Sequence, residues 1–165
     1  MKLQEYNQWC CHDDQKRPTH PNGNLLSINN LLYSFSQVSK YDKIGFVLRS
    51  DDPFSVIDID DCIKNNETER WASKIMKTFN TYYEISPSGH GIHIIFEGKL
   101  PNNLGGIRQG YFEVYSHHRF VTINKETLLN SKRNIEPRQA ELDELLEKFP
   151  RRSNTTKSTT KPQRK

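Results

Sequence analysis

Four ionisable side chains stand inside runs that otherwise read as buried strand. Asp58 and Asp60 alternate with isoleucines in "VIDID", His93 interrupts "GIHIIF", and Glu113 interrupts "YFEVYS". Alternate residues of a strand face opposite sides. Ile57 and Ile59 therefore share one face, and Asp58 and Asp60 the other. Ile92, Ile94 and Phe96 likewise leave His93 with Ile95, and Phe112 with Val114 leaves Glu113 between Tyr111 and Tyr115. Each strand offers an apolar face to a core and an ionisable group to the opposite side.

A solvent-facing sheet reads the same way, strand by strand. Two aspartates on one face also repel, and a divalent cation relieves a repulsion worth about a kcal/mol. Oxygen donors favour Mg²⁺ or Mn²⁺ over zinc. Two such ions about 4 Å apart activate an attacking hydroxyl and stabilise a leaving pyrophosphate. Glu113 supplies a third carboxylate if its strand lies close. His93 is then either a phosphate donor on that face or a satisfied sheet histidine. The turn "SPSGHG" before it, with Gly89 and Gly91, reads as backbone that a ligand can approach.

These side chains need strands to hold them. The sequence predicts strands at "NQWCCH", "KIGFVLR", "SVIDID", "TYYEIS", "GIHIIFEG", "GYFEVYS" and "HRFVTI". Ser27 reads as the N-cap of a helix to about Lys40, with Leu31, Leu32, Phe35 and Val38 on one side. Trp71, Ile75 and Phe79 fall four apart and predict an amphipathic helix over 67–79. Glu136 to Phe149, with Pro137 in the first turn, closes the domain as a helix. Strands interspersed with helices predict an α+β fold, a mixed sheet with flanking helices.

Composition narrows the classes. Of 24 Lys/Arg, six lie in residues 151–165, "RRSNTTKSTTKPQRK", leaving 18 against 20 acidic residues in 1–150. The expected organisation is a nearly neutral domain over 1–150 and a basic disordered tail or linker over 151–165, able to attract phosphate backbones. No run of about 18 apolar residues predicts a membrane span. The start "MKLQEYNQWC" lacks the apolar core of a signal peptide, so the expected location is the cytoplasm. Three cysteines without a CxxC spacing predict reduced thiols rather than a disulfide framework or zinc site.

In order, "DKIGFVL", "DDPFSVIDIDDC", "YYEISPSGHGIHIIFEGKLP" and "FEVYSHHRFVTI" resemble the archaeo-eukaryotic primase superfamily. More narrowly, they look like the bifunctional primase–polymerase domain at the front of phage, plasmid and other mobile-element replication proteins. The resemblance covers most of residues 7–124. It implies a catalytic core with an RRM-like half and an N-terminal α/β half. It also implies that Asp58, Asp60 and Glu113 bind Mg²⁺ or Mn²⁺ and that His93 contacts the incoming nucleotide's phosphates. Ser88, Gly89 and Gly91 match the lead-in to that histidine, with Gly91 where many relatives carry serine. Arg119 takes the place of a phosphate-binding base, Thr122 that of the hydroxyl after it, and Lys16 and Arg17 that of an early basic pair before proline.

The function so implied is template-directed nucleotidyl transfer, a DNA primase–polymerase. Its partners would be a single-stranded DNA template and NTP or dNTP, with a replicative helicase or single-strand-binding protein alongside and no membrane. Two other functions use the same residues. One is a nucleic-acid-binding replication module without its own catalysis, the other a metal-dependent nuclease.

Overall fold

The computed structural model describes residues 1–148, so the basic segment 151–165 lies outside the described residues. After a 3₁₀ turn at Leu3–Glu5 come β1 (Trp9–His12), β2 (Pro18–Thr19), α1 (Phe35–Val38), β3 (Ile44–Leu48) and β4 (Phe54–Ile59). The hairpin β5 (Ile63–Lys64) and β6 (Glu67–Thr68) leads into α2 (Arg70–Phe79), β7 (Tyr82–Ile85) and β8 (Ile92–Glu97). Then follow β9 (Ile107–Gln109), β10 (Phe112–Tyr115), β11 (Arg119–Ile123), α3 (Lys125–Asn130) and α4 (Gln139–Glu147). The class is α+β. The strands form separate sheets, β11-β3-β1-β2, β7-β8-β4-β10-β9 and the β5–β6 hairpin, whose ladders are antiparallel, with a parallel bridge from Glu97 of β8 to Pro137. The succession β4–α2–β7–β8–β10 follows the ferredoxin-like pattern without its second helix.

Both faces of the five-stranded sheet are covered. Ile57, Ile59, Ile92, Ile94, Phe96, Phe112 and Val114 pack on one side with Ala72 and Phe79 of α2 and Leu142 of α4. Phe54, Val56, Tyr82, Ile95 and Tyr115 face the other way, against Trp9, Ile44, Phe46, Leu48, Val121 and Ile123 of the four-stranded sheet. Burying such a core of aliphatic and aromatic side chains contributes roughly 1.5–3 kcal/mol per residue. A buried carboxylate pins the turn into β4: Asp52 accepts from Arg49 N (2.7 Å), Phe54 N (2.8 Å), Gln8 Nε2 (2.7 Å) and Lys99 Nζ (2.8 Å).

Three helix expectations need correction. Residues 27–34 are not helical. Tyr33 instead exchanges backbone hydrogen bonds with Trp9 of β1 at 2.9 and 3.0 Å, and Leu26 and Leu32 bury on the outside of the four-stranded sheet. Leu31 is 91% exposed. The helix starts only after Ser34, which forms a capping box with Gln37. Residues 67 and 68 form β6, paired across a two-residue turn in which Asn65 (φ 52°) and Asn66 (φ 63°) both take left-handed conformations. The buried stripe of α2 is Ala72 and Phe79 with Ile75 and Met76 half-buried, and Trp71 lies at its exposed edge. α4 begins at Gln139 because residues 136–138 pair with β8: Glu97 N donates to Glu136 O (2.9 Å) and Arg138 N to Glu97 O (2.7 Å). The short elements β2, β9 and α3 carried no signal that was read from the sequence. No helix among the described residues is long and apolar enough to cross a membrane.

The two readings of the leucines separate cleanly in stability. Leu142→Ala removes a fully buried side chain and is expected to cost about 2–5 kcal/mol in chemical denaturation. Leu31→Ala is expected to shift stability by less than about 0.5 kcal/mol. A large loss from Leu31→Ala would restore the helical reading of 27–34.

Candidate active site

Cross-strand register brings the ionisable residues into one line. On adjacent strands, Glu84 of β7 lies opposite His93 of β8, His93 opposite Asp58 of β4, and Asp58 opposite Glu113 of β10. Directly opposed residues share a face, so Glu84, His93, Asp58 and Glu113 form a row across the sheet. That face is not wholly open, as alternation alone suggests. It is the face of Phe54, Val56, Ile95 and Tyr115, and the four-stranded sheet covers that apolar half. The row lies where that cover ends, at a partly open cleft: His93 is only 4% exposed, while the side chains of Asp58 and Glu113 keep 23% and 19%.

β11 spans the row. Arg119 at its start pairs with Glu113 (Nη2–Oε1, 2.7 Å), and the amide of Asn124 just past its end donates to Glu84 Oε1 (3.0 Å). The row covers three strand spacings, about 14 Å, and the five-residue advance along β11 about 17 Å. The match means that β11 crosses the strands of the larger sheet rather than running along them.

Glu84 is the member of the row that sequence reading missed. Its side chain is fully buried. Oε2 accepts from Tyr82 Oη (2.8 Å), and Oε1 accepts from Asn124 N and faces His93 Nδ1 at 3.0 Å. Two donors already hold this carboxylate as an acceptor, so the proton shared with His93 sits on Nδ1. Nε2 is thereby turned to the cleft, 3.7 Å from Asp58 Oδ1. The available signal was a glutamate on the Tyr82 side of "YYEI", beside a histidine strand.

Asp58 is the opposite kind of carboxylate. Its Oδ1 is buried without a hydrogen-bond partner, since 3.7 Å to His93 is too long for one. Burial pushes its carboxyl above the ordinary 3.8, His93 pulls it back, and Asp60 and Glu113 push it up further. An orphaned buried oxygen beside other carboxylates suits a hard cation, and Mg²⁺ is ordinarily held by one or two protein carboxylates plus water and substrate oxygens. Asp58 and Glu113 could supply these, with Asp60 at the exposed turn just beyond β4. No three His, Cys, Asp or Glu side chains among the described residues close into a ready cage.

The other sequence-predicted residues divide. Ser88, Gly89 and Gly91 lie in the β7–β8 turn, where Ser86 Oγ meets Ser88 Oγ (2.9 Å) and accepts from Gly91 N (3.2 Å). Gly91 is needed for the protein's own packing, because a Cβ there would sit 2.8 Å from Ile59 O. Gly89 (φ +81°) faces open space. A groove of about 380 Å³ opens beside this turn, between Pro87, His12, Lys43 and the start of α3. Lys16 lies near enough to Asp58 to favour its ionised form, while Arg17 pairs with Asp13 (2.7 Å) at the surface. Arg119 stacks over Tyr115 (4.7 Å) as well as holding Glu113. Thr122 shares the face of Phe120, opposite that of Arg119, Val121 and Ile123, and so points away from the row.

Because the folded-state value of Asp58 lies above 3.8, the folded protein keeps this proton in a window where the unfolded chain has lost it. Stability therefore falls as pH rises through that window, and the ionised carboxylate remains a burden above it. In chelator, Asp58→Asn is expected to melt on the order of a few degrees above wild type at neutral pH. The gap should close as pH falls towards 4. An equal or lower melting temperature for Asp58→Asn at neutral pH would contradict the burial argument.

No protein-family model matches the chain. Over 142 residues, 75% of this chain, it is 30% identical to a protein of Nitratiruptor phage NrS-1 named DNA primase-polymerase. The chain spans about a fifth of that relative's length, the match covering 20% of it.

Proposed function

We propose that this chain is the nucleotidyl-transfer domain of a DNA primase–polymerase, taking NTP or dNTP to a single-stranded DNA template during replication of a phage or other mobile element. The observation that carries the reading is the row Glu84–His93–Asp58–Glu113, in which an orphaned carboxylate oxygen lies beside an imidazole whose tautomer is set. The likeness to the phage primase-polymerase supports it independently.

On this reading Asp58, Asp60 and Glu113 hold Mg²⁺ or Mn²⁺. Such ions would lower the pKa of an attacking 3′-hydroxyl and neutralise charge on the triphosphate. The chain's own residues do the rest. Glu84 keeps Nδ1 of His93 protonated and turns Nε2 to the cleft, where in the imidazolium form it donates to a phosphate oxygen. Arg119, held by Glu113 and Tyr115, offers a planar guanidinium to another phosphate at the opposite end of the row. Lys16 adds positive charge from the β1–β2 loop. The groove beside Pro87 has the size of a small-molecule site and borders the turn that precedes His93. No protein nucleophile takes part, so attack and departure occur on substrate oxygens alone.

The test is incorporation of labelled nucleotides on single-stranded template, with and without an annealed primer, in Mg²⁺ or Mn²⁺. Wild type is expected to extend, and Asp58→Ala/Asp60→Ala to fall by at least about a hundredfold. Product without primer would add priming. Template binding without incorporation would leave only a binding module. Shortening of the template without nucleotides would replace the reading with a nuclease.

A further inference from the structure

The row has a fifth member that neither the metal nor the histidine chemistry uses. Arg108 of β9 lies directly opposite Glu113 of β10, so it shares the face of Asp58 and extends the line to the sheet edge. Glu113 pairs through Oε1 with Arg119, and Arg108 stands exposed. β9 and β10 join through a two-residue turn, since Gln109 pairs with Phe112. Gly110 takes φ 59° in it, as a tight hairpin turn requires. The second turn residue is Tyr111, which is 64% exposed. The hairpin is not loosely attached, because Asp60 N donates to Tyr111 O at 2.7 Å. The backbone that carries the ring is thus tied to the turn that carries Asp60.

An exposed aromatic whose backbone is anchored beside a row of carboxylates, on a hairpin that also carries the exposed Arg108, has the chemistry of a base-stacking platform. Bases stack on such a ring without regard to sequence, and neighbouring arginines take the phosphates. A protein partner would be served better by a continuous apolar patch, whereas Arg108 and Arg119 on this face favour a polyanion. We infer that the β9–β10 hairpin holds single-stranded nucleic acid, with Tyr111 stacking an unpaired base and Arg108 binding a phosphate at the Glu113 end of the row. This rests on the proposed function and names where that function's nucleic-acid strand lies.

The experiment measures anisotropy of a labelled, mixed-sequence single-stranded oligodeoxynucleotide on the full chain, in chelator, at several salt concentrations. Tyr111→Ala is expected to weaken binding about tenfold with an unchanged salt slope, while Tyr111→Trp and Tyr111→Phe stay within about twofold of wild type. Arg108→Gln is expected to reduce the slope of log K against log salt by about 0.7, the share of one phosphate contact. Melting temperatures check that each variant folds, and the Trp and Phe variants carry the test if the Ala variant does not. Wild-type affinity in Tyr111→Ala, or an equal loss in Tyr111→Phe, overturns the inference. Nucleotide incorporation by wild type is measured in parallel. Incorporation with Tyr111-independent binding sinks this inference alone. Tyr111-dependent binding without incorporation sinks the catalytic reading and leaves the platform standing.

Discussion

A fully buried carboxylate must be satisfied, and the way Glu84 is satisfied organises the site. Leaving even one of its oxygens unpaired would cost more than an ordinary hydrogen bond is worth. Its three donors come from three places: Tyr82 on its own strand, His93 on the next, and the amide of Asn124 beyond β11. That last bond ties the smaller sheet to the larger one and fixes where β11 ends. With Asn124 over Glu84 and Arg119 over Glu113, β11 is held across four strands, and the cleft mouth has one wall. The imidazole is set by the same bonds, because Nδ1 is committed to Glu84 and Nε2 is left facing Asp58 at 3.7 Å.

The row then contains two carboxylates with opposite characters about two strands apart. Glu84 is inaccessible and saturated with donors, and it positions. Asp58 is partly accessible, has an oxygen without a donor, and is held by burial in a state that resists ionisation. Environment, not residue type, separates the two roles. A chain selected only for stability would have an amide or an aliphatic at 58. Retaining a strained acid there fits a ligand that repays the strain on binding.

Much of this was legible in the sequence, for physical reasons. Strand alternation places Asp58, His93 and Glu113 correctly, because period two leaves no freedom once the strands are recognised. Alternation could not show that the ionisable face is half core, although Val56 and Ile95 on that face were a hint. Glu84 went unread because one glutamate in a strand has many uses, and only pairing register reveals its neighbour. Thr122 was placed by resemblance, and strand parity turns it to the outer face. The segment 27–34 misled because Leu31 and Leu32 continue the spacing of Phe35 and Val38 backwards, whereas Leu32, with Leu26, anchors a loop whose backbone pairs with Trp9. Gly91 invited a ligand-based explanation, and the structure adds a packing reason, since a Cβ there would meet Ile59 O.

The measurement closest to the central claim is the ring ¹⁵N spectrum of His93 across pH, in chelator, assigned with His93→Gln. The account predicts that the neutral ring carries its proton on Nδ1, towards Glu84. Glu84→Ala removes the acceptor and should abolish that preference in protein that still melts cooperatively. A neutral ring carrying its proton on Nε2, or a tautomer indifferent to Glu84→Ala, would contradict it.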